Sequence, residues 1–345
     1  MRFSLRRAAA LAALGLALSG PAGAEDVTKI RFTLDWKIQG IHAWFYWARD
    51  KGYFAAEKLD VTIDQGEGSA VTVTRVMSGA YDAGFGDANA LIQAAAQKPG
   101  AAPVMVTMIY SKAPFALLTK ASGPIHAVAD LKGMKLGAPA GGASIKLFPA
   151  LARKNGLDPS SVNVMNMAPN LQEQMLLQDQ VDAVAIFTAT SYMNLVALKR
   201  DPDKDFRWIY YADGGLDLYS NGVMVSAALA KSKPEAVRGL VRAIAKAMRE
   251  VVANPDAAID LVAATEPLVN KSIEKRRLLY VLKTLIDTPE AREIGVGDIR
   301  DARMAGAIAT MVEAYELPRS PTVAEVFDRS FLPPKAERTL PAPGN

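Results

Sequence analysis

The chain has 345 residues, half of them hydrophobic, with 40 Lys and Arg against 36 Asp and Glu. It contains no cysteine, which excludes disulfides, thiolate metal sites, a cysteine nucleophile and a lipidated N-terminal cysteine. Three of the basic residues and none of the acidic ones lie in the first 24 residues, which leaves 37 against 36 and a net charge near +1, so the composition does not favour a nucleic-acid partner.

The first 24 residues have the pattern of a cleavable export signal. Arginines at positions 2, 6 and 7 form a basic start, the apolar run 8–18 is short for a membrane span, and an A-x-A site ends at Ala24. The paired arginines also allow a twin-arginine signal, but the alanines behind them fit that motif poorly, so general secretion is favoured. We therefore expect a signal peptide at 1–24 and a periplasmic mature chain of about 320 residues, enough for two lobes.

Strand-like and helix-like segments alternate in the first part of the mature chain. The segments predicted as strands are 29–34, 59–63 and 103–109, with helices at 42–51 and 70–78. A further short apolar strand ends at Asp87. Because the loops that follow successive strands of an α/β sheet meet at one edge, we expect them to line a cleft.

A second unit of the same kind begins near Ala129, with strands at 134–138, 162–167 and 181–187 and helices at 145–154 and 171–178. The segment 110–114 is predicted to cross between the units and 219–226 to return. Long amphipathic helices follow at 234–254, 256–264, 273–287 and 299–317. The prediction is a two-lobed α/β fold with a hinge and a helical C-terminal return, in which lobe 1 comprises residues 25–115 and 222–345 and lobe 2 comprises 116–221.

Several motifs carry a family resemblance. The pattern DWxxxxxHAxxYxAxxKGYFxxxxLDVxIxxGxGS spans 35–69, SGxxDxGxGD spans 78–87, and DLKGMKLGAPAGG and VFDRSFLPP occur later. They resemble the type II periplasmic binding proteins of the sulfonate, nitrate and thiamine-pyrimidine-precursor (SsuA/THI5-like) group. The resemblance implies a solute receptor, expected to be a monomer, that delivers a small molecule to an inner-membrane ABC permease and its ATPase.

That family also contains enzymes, the thiamine-pyrimidine synthases, which use pyridoxal phosphate, iron, a Cys-rich segment and a histidine of their own chain. The resemblance places a lysine and, four residues later, that histidine at the positions of Gly86 and Ala90 here. Without these residues and without cysteine, we expect a binding protein with no cofactor rather than an enzyme. A sensing subunit that docks on a receptor domain is the remaining alternative.

The first loop of lobe 1 supplies two candidate ligand contacts, Trp36 and His42. The indole of Trp36 could stack on a flat ligand, or seal the core of the lobe. His42 could offer one donor and one acceptor, or hydrogen-bond a backbone carbonyl. The second histidine, His126, is far away in sequence, so no metal cluster is expected. No nucleophile and base share a motif, so no catalytic residue is predicted.

Two small-residue loops precede helices and supply Gly68, Ser69 and Ser144 as candidates. Free N–H groups and hydroxyls at a helix start can receive an anion or a carbonyl oxygen. The same residues are expected equally well if the side chain of Ser69 only caps its own helix.

The remaining candidates lie at strand ends and at the first crossing. Asp87 could accept from an amine or amidine, or cap the following helix, and Asn89 could donate or accept. Phe187 is the candidate to face Trp36 across a ligand, although core packing explains it nearly as well; Thr188 and Tyr110 complete the set. Together they favour a planar, partly polar solute, with sulfonates, nitrate, aminopyrimidines, riboflavin and aromatic acids left open.

Overall fold

The structure, a computed structural model, describes residues 27–341. The predicted signal peptide and its cleavage site lie outside the described residues. The strands are β1 (Thr28–Thr33), β2 (Leu59–Asp64), β3 (Ala83–Asp87), β4 (Val104–Met108), β5 (Phe115–Lys120), β6 (Lys135–Ala138), β7 (Asn163–Asn166), β8 (Ala183–Phe187), β9 (Phe206–Tyr210) and β10 (Asn221–Val225). The α-helices are α1 (Ala43–Asp50), α2 (Tyr53–Ala56), α3 (Ser69–Met77), α4 (Ala88–Gln97), α5 (Ala143–Lys154), α6 (Gln172–Leu177), α7 (Thr188–Ala197), α8 (Ala227–Ser232), α9 (Pro234–Ala253), α10 (Pro255–Thr265), α11 (Lys271–Val281), α12 (Pro289–Ile294), α13 (Asp301–Tyr315) and α14 (Val323–Val326).

The strands form two five-stranded sheets built on one plan. The first, in lobe 1, has the order β2-β1-β3-β10-β4, and the second, in lobe 2, has the order β7-β6-β8-β5-β9. In each sheet the fourth strand, β10 or β5, runs antiparallel to both of its neighbours. These two strands are the first that the chain enters after each crossing, so the crossings determine where each sheet departs from parallel order.

The chain crosses to the second sheet between Met108 and Phe115 and returns between Tyr210 and Asn221. Phe115 begins a strand of the second sheet and Asn221 a strand of the first, each one residue from a predicted lobe boundary. The division of the chain into lobes at those boundaries stays a prediction. The first crossing is tied to the C-terminal helices, because Leu285 O accepts from both the N–H and the Oγ of Ser111, at 3.0 and 3.2 Å.

Helix α1 lies between the first sheet and α9, which explains why it is aromatic all round. Phe45 faces the sheet, with ring centroids 4.9 Å from Phe32 and 5.2 Å from Phe85. Trp44 is fully buried in the same core. The first six residues of α1 are buried, so this part of the helix is apolar on every face, whereas α9 is amphipathic and buries one stripe.

A continuous apolar core joins the two lobes beside the cleft. Helix α13 packs on both α4 of lobe 1 and α5 of lobe 2. Its buried side chains Met304, Ile308 and Met311 belong to a cluster that also contains Leu91 and Phe148. In the part of the chain that the structure describes, no helix is both long and apolar enough to cross a membrane.

Candidate functional site

A cleft between the lobes is lined by loops and helix starts that follow strand ends. Lobe 1 contributes Asp35, Trp36, Gln39, Ile41, Gly68 and Ser69. Lobe 2 contributes the start of α5 at 142–144, the start of α7, and side chains of β5 and β8. Five of the ten predicted site residues therefore meet in one cleft: Trp36, Gly68, Ser69, Ser144 and Phe187. The expected edge where strand-ending loops converge is present in each sheet, and the two edges face each other.

An aromatic side chain from each lobe, Trp36 and Phe187, forms an apolar part of the lining. Trp36 is half-buried, and its indole makes no hydrogen bond or ring contact with another side chain among residues 27–341. Phe187 packs against Tyr110 and Phe115, with ring centroids 6.0 and 6.2 Å away. The indole of Trp36 is therefore free to contact a ligand, whereas the ring of Phe187 is held in place by its neighbours. Two such aromatic surfaces suit a planar ligand.

Two helix N-termini also open into the cleft. Gly68 precedes α3 and Gly142 precedes α5, and neither helix has a side-chain cap. Ser69 is the first residue of its helix, so the alternative in which its side chain caps α3 is not what the structure shows. Ser69 and Ser144 are buried residues whose hydroxyls make no hydrogen bond among the described residues. Uncapped N–H groups and these hydroxyls together offer donors to a polar acceptor on the ligand.

The lobes touch where the two glycine loops meet. Gly68 has φ 125°, a conformation that residues with a Cβ rarely adopt, and an ideal Cβ there would lie 2.1 Å from Gly141 O of lobe 2. The structure is therefore a closed form, and a solute enters or leaves the cleft when the lobes separate.

Asp35 is the one charged side chain in the cleft lining of the described chain. Its Oδ1 lies 3.0 Å from His42 Nε2, and its Oδ2 accepts from Asn221 Nδ2 at 2.7 Å. His42 Nδ1 in turn accepts from the backbone N–H of Gln39 at 3.1 Å. Because Nδ1 is an acceptor, Nε2 carries the proton and donates to Asp35. His42 is fully buried and both its nitrogens are engaged, so the structure makes it a support for Asp35 instead of the predicted ligand contact.

Asp87 and Asn89 lie outside the cleft lining, and each is about 1% exposed. Asp87 Oδ1 accepts from the N–H groups of Asn89 and Ala90, at 3.0 and 3.3 Å, and so caps α4. Its Oδ2 accepts from Ser220 Oγ at 3.0 Å, and Asn89 Nδ2 donates to Tyr219 O at 2.8 Å. The capping alternative is therefore the one observed, and the pair also holds the returning crossing to lobe 1.

Tyr110 and Thr188 are also predicted contacts that the structure places behind the lining. Tyr110 is fully buried, its ring 5.4 Å from that of Phe85, and burial raises the pKa of its hydroxyl well above the ordinary value. Thr188 begins α7 and faces a separate crevice with Tyr210 and Tyr280. Neither side chain lines the cleft: Tyr110 packs against Phe187, which does, and Thr188 lines the other crevice.

Five polar residues of the lining were missing from the predicted site: Asp35, Gln39, Gln172, Thr190 and Ser191. Gln39 Oε1 accepts from Thr190 Oγ1 at 3.1 Å, a hydrogen bond between the lobes. Gln172 donates to Ala185 O at 3.0 Å. The sequence could have indicated Thr190 and Ser191 by their position alone, because they lie in the first turn of the helix that follows β8.

Among the described residues, no group of three or more His, Asp or Glu could hold a metal ion.

The buried carboxyl of Asp87 leads to a pH prediction. Burial raises its pKa to about 6, since desolvation outweighs the hydrogen bonds it accepts. The folded protein therefore keeps this proton to higher pH than the unfolded chain does. The stability that the protonated form contributes is fully present below pH about 4 and is lost as the pH rises to about 6. Relative to Asp87→Asn, the wild type is expected to lose about 3 kcal/mol of unfolding free energy over that interval.

Urea unfolding of the two proteins between pH 3.5 and 7 measures this difference. Subtracting the variant removes the titration of every other group, and the constant cost of changing the cap does not affect the slope. A wild type that gains stability over the variant across the same interval would show instead that the hydrogen bonds to the carboxylate prevail.

The two-lobed fold is that of the periplasmic binding proteins. The alkanesulfonate-binding protein SsuA of Xanthomonas axonopodis pv. citri, solved with bound MOPS, superposes with a TM-score of 0.67 at 18% identity, covering 88% of this chain and 99% of that one. Residues 39–258 match the family described as NMT1/THI5 like. The chain belongs to this family, which confirms the resemblance inferred from its motifs.

The relatives of this chain are named as binding proteins and as enzymes. The riboflavin-binding protein RibY of Chloroflexus aurantiacus is 30% identical over 218 residues, which cover 63% of this chain and 60% of that protein. The formylaminopyrimidine-binding protein of Halalkalibacterium halodurans is 23% identical over 87% of this chain and 89% of its own length. A 4-amino-5-hydroxymethyl-2-methylpyrimidine phosphate synthase of Saccharomyces cerevisiae is 24% identical over 72% of this chain and 74% of its own.

Proposed function

We propose that this protein is the periplasmic solute-binding component of an ABC importer, which closes its two lobes on a small planar, polar solute. The observation that carries the proposal is the cleft itself, in which Trp36 of lobe 1 and Phe187 of lobe 2 face a space surrounded by hydrogen-bonding groups. Capture between hinged lobes is the mode of action typical of this class. The names of two relatives, for riboflavin and for a formylaminopyrimidine, support a solute receptor.

The charge of the cleft favours a neutral or weakly basic heteroaromatic solute. No Lys or Arg lines the described cleft, and its one charged side chain is the carboxylate of Asp35. A ring N–H or amino group could donate to Asp35, while a ring carbonyl could accept from the N-termini of α3 and α5. Pyrimidines and isoalloxazines combine these donors and acceptors with a flat surface for Trp36.

A sulfonate is the second candidate, and one observation favours it. Two uncapped helix N-termini, α3 and α5, meet at the cleft, and such ends stabilise negative charge. The structural neighbour bound to MOPS has the same fold. An anion would, however, have to sit near Asp35 without a cationic side chain to offset it, which is why we place this candidate second.

The positions that distinguish the synthases support binding over catalysis. Gly86 lies within β3, where an added Cβ would come within 3.1 Å of Met224 Cε and 3.2 Å of Thr72 Cγ2. Neither Gly86 nor Ala90 lines the cleft. A lysine at position 86 would have to displace these neighbours, and the chain has no cysteine. We therefore propose that the protein is not an enzyme and needs no cofactor.

A thermal-shift panel tests the proposed function. Riboflavin, aminopyrimidines, aromatic carboxylates, alkanesulfonates and nitrate are each added to the mature chain, and a ligand at 100 times its Kd should add about 2.7 kcal/mol to the free energy of unfolding. We expect stabilisation by a heteroaromatic compound and none by nitrate. A sulfonate as the sole stabilising compound would favour the second candidate, and accumulation of a product without any shift would contradict a receptor.

Two further measurements separate transport from its alternatives. Recovery of the mature chain from a periplasmic fraction, with a mass that begins at Glu25, is the result expected for cleavage after Ala24. Neighbouring permease and ATPase genes favour an importer, whereas a neighbouring receptor gene favours a sensing subunit.

A further inference from the structure

Helix α11 contacts both lobes directly behind the cleft. It packs on α10 and on the short 3-10 turn Gly40–His42 of lobe 1, and on α7 of lobe 2. The turn carries Ile41 into the cleft lining, and α7 carries Thr190 and Ser191 into it. One helix outside the cleft is thus positioned against both of its walls.

Glu274 joins α11 to lobe 1. Its Oε2 accepts from the backbone N–H of Gly40 at 2.7 Å. The backbones are also in close contact, because an ideal Cβ on Gly40 would lie 2.4 Å from Glu274 O. With α10 packed on its other side, α11 is expected to move with lobe 1 when the lobes separate.

Arg277 joins the same helix to lobe 2. Its Nη1 donates to the carbonyls of Ala189 and Thr190, at 2.9 and 2.8 Å, and its Nη2 lies 3.4 Å from Asn194 Oδ1. All three acceptors belong to α7. The guanidinium also pairs with Glu274, with Nε 3.0 Å from Oε2, and the two side chains are only 3% and 8% exposed.

This arrangement suits a contact that forms and breaks. When the lobes separate, Arg277 loses its two carbonyl acceptors on α7 but keeps Glu274 as its partner. Opening therefore leaves no charged group without a partner. Closure therefore gains charge-assisted hydrogen bonds without having to create an ion pair. The stacked rings of Tyr192 and Tyr280, 5.4 Å apart, accompany the same α7–α11 contact.

From these contacts we infer that Glu274 and Arg277 form a latch that holds the closed lobes together and so sets how long a captured solute is retained. Arg277 does not line the cleft; it is a positioning residue that holds Thr190 and Ser191 of α7 against lobe 1. The inference that the latch sets how long a solute is retained rests on the proposed function. The inference that it holds the lobes closed does not, because it applies equally to the protein without solute.

The test replaces Arg277 with lysine in the mature chain. Lysine keeps a cation beside Glu274 but cannot donate to Ala189 and Thr190 through one planar group. Because the chain has no cysteine, Asp60→Cys and Val164→Cys on the exposed edge strands β2 and β7 give two unique labelling sites for energy transfer between dyes. We expect the Arg277→Lys variant to populate longer distances, and riboflavin to dissociate about tenfold faster from it, with little change in the association rate.

Lys275→Gln is the matched control. Lys275 lies on the same helix and pairs with Asp256 at 2.7 Å, but that partner belongs to α10 of the same lobe. The control should leave both readouts at the wild-type value, and thermal unfolding verifies that both variants are folded. A folded Arg277→Lys variant with wild-type distances, or a Lys275→Gln variant that opens equally, would overturn the latch. If no compound of the panel binds the wild type, the proposed function fails, and the dye distances still decide the latch.

Discussion

Gly68→Ala is expected to weaken solute binding by about a hundredfold, because it prevents the lobes from closing. An ideal Cβ at this position lies 2.1 Å from Gly141 O, a backbone atom that cannot turn aside as a side chain would. Isothermal titration with the stabilising compound of the panel measures the loss. The fold itself should survive, since the clash exists only when the two lobes meet.

Two other glycines separate closure from backbone strain. Gly79, at the end of the same helix α3, has φ 75° and no heavy atom within 4 Å of an added Cβ, so Gly79→Ala should cost about 1 kcal/mol of stability and leave affinity unchanged. Gly141→Ala should weaken binding without a φ penalty, since its Cβ would lie 2.8 Å from Glu67 O of lobe 1. Wild-type affinity in a folded Gly68→Ala protein would mean that closure does not bring these loops together.

The second large effect is expected at Trp36. Stacking of an aromatic side chain on a flat heterocycle contributes about 1–3 kcal/mol, so Trp36→Ala should raise Kd by about 5- to 150-fold. Its half-buried indole has no hydrogen bond or ring contact among the described residues, so the thermal stability of the solute-free protein should change little. Fluorescence or calorimetric titration measures the change in Kd.

Trp208→Ala is the control for this prediction. Trp208 is also half-buried but lies on β9 outside the cleft, where its Nε1 donates to Pro202 O at 2.8 Å. Its removal should lower stability and leave Kd unchanged. If Trp36→Ala leaves Kd unchanged as well, the solute does not stack on the indole, and the heteroaromatic proposal loses its main contact.

Local sequence patterns predicted most strands and helices to within two residues. The strand predicted at 59–63 is β2, and the amphipathic helix predicted at 234–254 is α9. These predictions are confirmed because hydrophobic periodicity and Gly or Pro boundaries are local properties. Strands β5, β9 and β10 were not predicted, since each is a short segment whose extended form depends on pairing with its neighbours in a sheet.

The candidate site was predicted in part, and there is a physical reason why some predicted residues line the cleft and others do not. Trp36, Gly68, Ser69, Ser144 and Phe187 lie in the cleft, whereas His42, Asp87, Asn89, Tyr110 and Thr188 lie behind it. A polar residue at a strand end has two possible partners, the ligand or a nearby backbone group. Its neighbours decide between them, and those neighbours come from distant segments, as with Asp87 and Ser220.

The sequence by itself determined the family, the two-lobed α/β order and the loops that would meet at a cleft, because these follow from motifs, periodicity and loop chemistry read along the chain. Only the tertiary structure decided which polar side chains line the cleft, where the lobes touch, and that Arg277 spans from α11 to α7. The reason is that each of these depends on contacts between residues far apart in sequence: 73 positions separate Gly68 from Gly141, and 87 separate Arg277 from Thr190.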